Sequence, residues 1–450
     1  MESLNKQVSD MTRFYKSRLT YSLKCLRFLL CQGLIFRGDD ESESSENMGN
    51  FHELLAWLDE FNDDVKQIVF KNAQGSYQMT CGGIQKDLIN SCAKETTKLI
   101  IEEVKDDFFG ILVDESSDAS GEEYLAVCLR YIDRKGRLIE RFLGIVHVED
   151  TTAASLKSAI QSLLMGHSLS MSKIRGQSYN GASNMKDLLN NALQRKDQDI
   201  IDAMTLVSPT KKQLQNLRSD GWEDFLSRVT SFCVKHDIEV PDMDGYYFPP
   251  GRARRFFKKV KNIHRFQVEM FLSVIDLQLQ ELTNRFDEVN MELLMCMSSL
   301  NPANSFAAFD KQRILRLAEF YPNEFSTVDL MKLDFQLQVY INDLSKDVRF
   351  QQVRDLGGLS CMLVETNKHK IHREVYLLLK LVLILPMATA SVERVFSAMS
   401  FVKSKLRDSM GDQQLNDSLV TFIEKDMFLQ VSDESVLRRF QDMKTRRNNF

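Results

Sequence analysis

Asp114 closes the apolar run FFGILVD at residues 108–114. A carboxylate at the end of a strand is held by the backbone ladder and projects from the rim of a sheet. Two or three such carboxylates, converging from distant parts of a chain, can hold two Mg2+ ions. The ions activate a water or a 3′-hydroxyl and stabilise the leaving oxygen in phosphodiester chemistry. Taken alone, Asp114 reads equally well as a turn cap in DESSDAS. A second stretch, GRARRFFKKVKNIHR (251–265), is basic. Arg252, Arg254, Arg255, Lys258, Lys259, Lys261 and Arg265 place seven cations in fifteen residues, with Phe256 and Phe257 between them. Such a stretch can neutralise phosphates, and it also reads as a nuclear-localisation cluster. As a solvated loop leading into a helix it needs no ligand. The C-terminal KTRR at 444–447 is a weaker case of the same kind.

Metal chemistry has little to draw on. No two of the eight cysteines are spaced as CxxC, and none sits beside a His pair at zinc-ligand spacing. They read as buried free thiols in a reducing compartment. The seven histidines show no ligand spacing either, so no residue is assigned to metal. Over 450 residues the chain is 43% apolar and 27% charged, with a net charge of −5. These are globular values, and length alone suggests two or three domains. They exclude a disordered tail, a collagen-like chain and a uniformly basic nucleic-acid binder, so any basic surface is local. Met1 to Asp10 is polar with no apolar core after it, so no signal peptide is expected. The most apolar run, Tyr376 to Pro386, contains Lys380 and falls short of the roughly 20 residues that span a bilayer. The expectation is an intracellular, soluble protein with no membrane partner.

These residues need elements to position them. The chain has only seven prolines, the first at Pro209, which favours helix. Apolar spacing predicts a helix over 11–36, then an acidic Ser-rich loop at 38–50, then helices at 51–70 and 85–106. From Asp107 the pattern changes. Runs at 108–114, 124–132 and 137–148, with a DRKG turn at 133–136, predict an antiparallel meander. A helix follows at 151–167 with Thr151 or Thr152 as N-cap, then a strand at 172–180 and a helix after GASN. The order is βββαβα. Residues 198–365 read as helical, including one long amphipathic stretch at 268–300 stopped by Asn301 and Pro302. Apolar helices close the chain.

Three stretches resemble one family. ILVDESSD (111–118), GQSYNGASNM (176–185) and ATASVERVFSAM (388–399) are similar, in order, to segments of hAT-superfamily transposases. The last resembles the hAT C-terminal signature, with its Ser, Glu-Arg pair and Phe-Ser on a helix. FLLCQGLIFRGDDESESSENMGNF (28–51) is similar to the group of this family that carries an N-terminal TTF-type zinc finger. The resemblance implies an α+β fold, with an incomplete ribonuclease H-like sheet interrupted by a helical insertion and otherwise mainly α-helical. It divides the chain into a helical N-terminal unit (1–106), a ribonuclease H-like part (107–197), a shortened helical insertion (198–365) and a dimerisation region (366–450).

The family's catalytic triad is Asp, Asp and Glu on two metal ions. Carried over by position, it falls on Asp114, Asn180 and Glu393. Asn180 offers a carbonyl oxygen but no charge, so the triad reads as vestigial. The fifth strand, the Cys-xx-His segment and the zinc finger of the family have no counterpart in this sequence. The resemblance therefore implies a degenerate or domesticated relative that does not cut DNA. It would form a homodimer, bind DNA through Arg252, Arg254, Arg255, Lys258, Lys259 and Lys261, and reside in the nucleus. The dimer surface is expected at Leu381, Ile384, Phe396, Phe401, Leu419, Val420, Ile423 and Phe428. No cofactor is expected. Mg2+ or Mn2+ enters only under the alternative of a metal-dependent transposase or nuclease using Asp114 and Glu393. A further alternative is a transposon remnant that does not fold stably, its sheet edge left unpaired.

Overall fold

The computed structural model describes residues 2–38, 47–61, 81–118, 121–150, 152–179, 200–247, 260–286, 288–385, 390–403 and 410–443. In chain order, helices α1 (Glu2–Gln32), α2 (Asn50–Phe61) and α3 (Gly82–Val104) lead into strands β1 (Phe109–Ser117), β2 (Glu123–Ile132) and β3 (Leu138–His147). Helix α4 (Ala153–Gly166) and strand β4 (Ile174–Tyr179) follow. Helices α5 (Ile200–Asp220) and α6 (Trp222–Lys235), a π-helix (His264–Leu272), α7 (Ser273–Arg285), α8 (Glu288–Ser298), α9 (Lys311–Glu319) and α10 (Thr327–Leu344) make up the middle. The chain continues with α11 (Leu356–Glu365), α12 (Arg373–Leu383), α13 (Ala390–Val402), α14 (Asp412–Ile423) and α15 (Asp433–Gln441). The α+β expectation holds.

Two compact units divide these elements. The first comprises Met1–Ser183, Leu363–Lys368 and Leu379–Phe450, and the second Asn184–Met362 and His369–Leu378.

The first unit is built on a mixed sheet of order β3-β2-β1-β4. β1 pairs antiparallel with β2 and β2 with β3, which is the expected meander, while β4 lies parallel to β1. Side chains alternate between faces along a strand. Ile111 and Val113 of β1 enter a core with Ile160 and Leu164 of α4 and Ile100 of α3. Leu112, between them, enters a different core with Val392, Val395 and Met399 of α13 and Leu415 and Leu419 of α14. β1 is thus buried on both faces, which is why its sequence reads as a continuous apolar run. Thr152 caps α4, its side chain accepting from Ser155 N.

A third core joins the two ends of the chain. Leu19, Leu23, Leu26 and Leu30 of α1 pack with Leu88 of α3 and with Phe428, Val436 and Phe440 from the C-terminal helices. Each such side chain stabilises the fold by about 1.5–3 kcal/mol relative to exposure. α1 stops at Gln32, earlier than the predicted 36, because Gly33 turns left-handed at φ +63°. Gly33 N–H then reaches Leu30 O (3.1 Å) and Leu34 N–H reaches Leu29 O (3.0 Å), closing the helix end.

Among its described residues the second unit has helices joined by turns and loops, with one isolated bridge between Tyr246 and Lys261. Trp222, Phe271 and Ile275 form one core cluster, and Val207 with Leu282 a second. The long helix predicted at 268–300 is divided. α7 ends at Phe286, whose ψ of 57° leaves the helical range and whose ring packs against the Val207 cluster. Asp310 caps α9, and a Ser326–Asp329 capping box starts α10. Buried His372 meets Asp343 at 3.0 Å beside the Tyr340 ring.

Candidate functional site

Asp114 sits near the end of β1, opposite Ala126 of β2 and only 8% exposed. Its Oδ1 accepts from the Glu115 N–H at 2.9 Å. Two residues before it, Leu112 points into the core beneath α13, so Asp114 stands on the α13 face of the sheet. The parallel pairing of β1 with β4 runs to Val113 and Tyr179. Asn180 is next in sequence after Tyr179, as Asp114 is after Val113, and it lies outside the described residues.

Glu393 is carried by α13, partly buried, between Val392 and Val395, which face the same core as Leu112. Both ends of this helix are fastened. At its start the Ser391 hydroxyl bonds Glu140 of β3, and Glu140 pairs with Arg130 of β2. Arg130 Nε also donates to Leu383 O at 2.9 Å. Just past its end, Lys403 Nζ lies 2.5 Å from Asp118 Oδ2, and both side chains are buried. Lys403 also donates to the Tyr124 hydroxyl at 3.0 Å, and the single proton of that hydroxyl has two carboxylates in reach, Asp412 at 2.9 Å and Glu122 at 3.0 Å. Burial alone would lower the Lys403 ammonium's pKa, but the bonds to Asp118 and Tyr124 outweigh it and hold it above the ordinary lysine value. Burial pushes the Tyr124 phenol up to about 12. Sequence reasoning missed Lys403, Asp118, Tyr124 and Asp412, although Asp118 is the last residue of the ILVDESSD match.

α14 covers the outer edge of β3. Asn416 Oδ1 accepts from Ile145 N–H at 2.9 Å, and Glu424, just past the helix, accepts from Phe142 N–H at 2.6 Å. Glu424 also meets Arg141 at 2.8 Å. Burial raises the carboxyls of Glu424 and Asp417, partly offset by these donors and, at Asp417, by Asn90 and Gln413.

Among the described residues no group of three or more His, Cys, Asp and Glu side chains is arranged to hold a metal ion. All eight cysteines are free thiols, and burial pushes Cys25 up to about 11 and Cys92 to about 12. Five residues expected at the dimer surface belong instead to this chain's own core. Leu381, Ile384, Leu419, Val420 and Phe428 are at most 1% exposed. A side chain with no accessible area in one chain has none to lose against a second. Phe396 and Ile423 are partly buried against the α13–α14 core. Phe401 alone of the eight is exposed, at 58%. Of the basic candidates, Arg252, Arg254, Arg255, Lys258 and Lys259 lie outside the described residues. Lys261 lies 3.2 Å from Asp244, and Arg265 pairs with Glu269 at 2.5 Å while lying over the Tyr247 ring. No helix among the described residues is long and apolar enough to cross a membrane.

Two family models match. Residues 1–191 match the ZMYM1/FAM200 RNase-like domain, and residues 362–427 match the hAT family C-terminal dimerisation region. Two regions of this chain are thus hAT-like, similar to transposase-derived proteins. The hAT-like chain is 27% identical over 192 residues to the mouse 52 kDa repressor of the inhibitor of the protein kinase. That match covers 40% of this chain and 25% of the mouse protein. Against the human protein of the same name it is 30% identical over 119 residues, covering 25% of this chain and 15% of the human one. The hAT-like chain thus spans a quarter or less of the curated relatives it matches. Its RNase-like match contains Asp114, Asp118 and Tyr124, and its dimerisation match contains Glu393, Lys403 and Asp412, so the Lys403 clamp ties one match to the other.

Proposed function

We propose that the hAT-like chain acts as a non-cutting homodimer that binds DNA in the nucleus and serves a regulatory role. The observation that carries this reading is the matched dimerisation region, whose helices α13 and α14 pack on the RNase-like sheet. The relatives' printed name, a repressor, supports the regulatory part. The donor set argues against two-metal catalysis. Two carboxylates and the neutral amide of Asn180 leave two divalent cations under-neutralised. The basic stretch at 251–261 is the proposed DNA contact and nuclear address.

Light scattering on a concentration series of the full chain tests the dimer: the expected limit is twice the 52.0 kDa chain mass. For DNA, the expected signature is duplex affinity that falls steeply with salt. Replacing Lys258 and Lys259 with Ser should weaken it across all sequences and lower the salt slope by about one per lost phosphate contact. Salt-independent affinity, or none, would remove DNA from the proposal.

The catalytic alternative retains one specific support: α13, which bears Glu393, is fastened at both ends over the sheet face that bears Asp114.

A further inference from the structure

We infer that a second copy of this chain docks on an apolar patch that the end of α1 and the end of α13 build together, centred on Leu34 and Phe401. The inference rests on the homodimer reading and names its surface. Gly33 presses closely on two rings. A Cβ there would fall 2.8 Å from Phe401 Cε1 and 3.0 Å from Phe422 Cε2. Phe401 and Phe422 stack, with centroids 5.6 Å apart and planes 17° apart. Beside them a narrow crevice lined by Leu34, Phe36, Val402, Met410 and Ser418 has room for about one water molecule. Phe401 is 58% exposed and Leu34 is 39% exposed. An exposed aromatic ring beside an exposed aliphatic side chain is the kind of surface that partners cover.

The occupant follows from where these residues lie. Phe401, Val402, Met410 and Phe422 all fall within residues 362–427, the matched dimerisation region. The other apolar residues nominated in that region are buried or partly buried in the chain's own core. Ile371, also exposed, lies in the second unit, so among the described residues of the first unit self-association through this region has Phe401 and its neighbours to use. Leu34 and Gly33 come from the RNase-like match, so the surface joins two regions that sequence similarity treats separately. A two-fold pairing lets the exposed Phe401 ring of each copy lie against Leu34 of the other, an isologous contact that closes at two chains.

Sedimentation velocity on the full chain tests this with wild type, Phe401→Glu, Leu34→Glu and a control, Phe335→Glu. Phe335 is 74% exposed on α10 of the second unit. Each of the first two substitutions would place a charge in an apolar contact and should raise the dimer dissociation constant at least about tenfold. The control should leave it unchanged. Hydrogen exchange on the wild-type chain needs no substitution: protection at residues 33–36 and 398–402 should rise with protein concentration. An unchanged dissociation constant in both variants, or exchange there that ignores concentration in a dimerising chain, overturns the patch and leaves the homodimer standing. A wild-type chain that stays monomeric throughout overturns both.

Discussion

The guanidinium of Arg27 lies over the Phe428 ring, 4.6 Å from its centroid. It also donates to Phe428 O at 3.0 Å and Val431 O at 2.9 Å, and meets Asp433 at 3.1 Å. One α1 side chain thus satisfies carbonyls at a helix end and pairs with the first turn of α15. Arg27→Met keeps most of the volume and loses all of these bonds. It should cost the first unit about 2–4 kcal/mol. Trp57 belongs to the first unit and Trp222 to the second, so Trp57 fluorescence in a Trp222→Phe background isolates the effect. An unfolding midpoint equal to that of the parent would refute a stabilising role for these Arg27 contacts.

Lys403 and Asp118 form a buried pair at 2.5 Å. Lys403→Met takes the cation away from the buried Asp118 carboxylate, which keeps the Glu122 N–H, and should cost about 3–5 kcal/mol in chemical denaturation. The sign with pH is fixed by the raised folded-state value. The stabilisation is fully present below the ordinary lysine value of 10.5 and lost as pH rises through the higher folded value. Tyr124, raised to about 12, loses its contribution in the same direction. The gap between wild type and variant should be flat from neutral pH to near 10 and shrink above it. A gap that widens with alkalinity contradicts the pairing.

The caps on β3 make a separate forecast. Glu424→Ala leaves Phe142 N–H and Arg141 without this partner and should cost about 2–4 kcal/mol, more than Asn416→Ala at about 1–2 kcal/mol. Amide exchange reports the site directly. Phe142 should lose protection in the first variant and Ile145 in the second. Equal protection in parent and variants would show that water satisfies those amides as well as the side chains do.

The register at Val113 and Tyr179 bears on catalysis. The wild-type chain should show no Mg2+- or Mn2+-dependent strand cleavage above background. Asn180→Asp supplies the missing charge, and any cleavage it confers should vanish on adding Asp114→Asn. Cleavage by the wild type would overturn the non-cutting proposal.

The meander was legible because a side-chain period of two leaves its trace in β1 to β3 whatever the rest of the chain does. Asp114 and Glu393 were legible through motif resemblance. The clamp was not. Lys403 and Tyr124 are 279 positions apart, and nothing in either local pattern names the other. Periodicity also cannot say which apolar face meets the same chain and which meets another. Leu419 and Phe428 therefore read as interface although they fill the chain's own core. The helix end at Gln32 escaped for a simpler reason: Phe36 is buried with α1 and mimics its next periodic position, while the backbone has already turned at Gly33.

The core shared by α1 and the C-terminal helices sets an order for synthesis. Arg27 must wait for Val431, 404 positions later. At about 5–20 residues per second, that delay is on the order of 20–80 s on the ribosome. Throughout it, the leucine face of α1 has no Phe428, Val436 or Phe440 to lie against. α1 therefore stays open on its leucine face until the segment around Phe428 to Phe440 has been made and can close it.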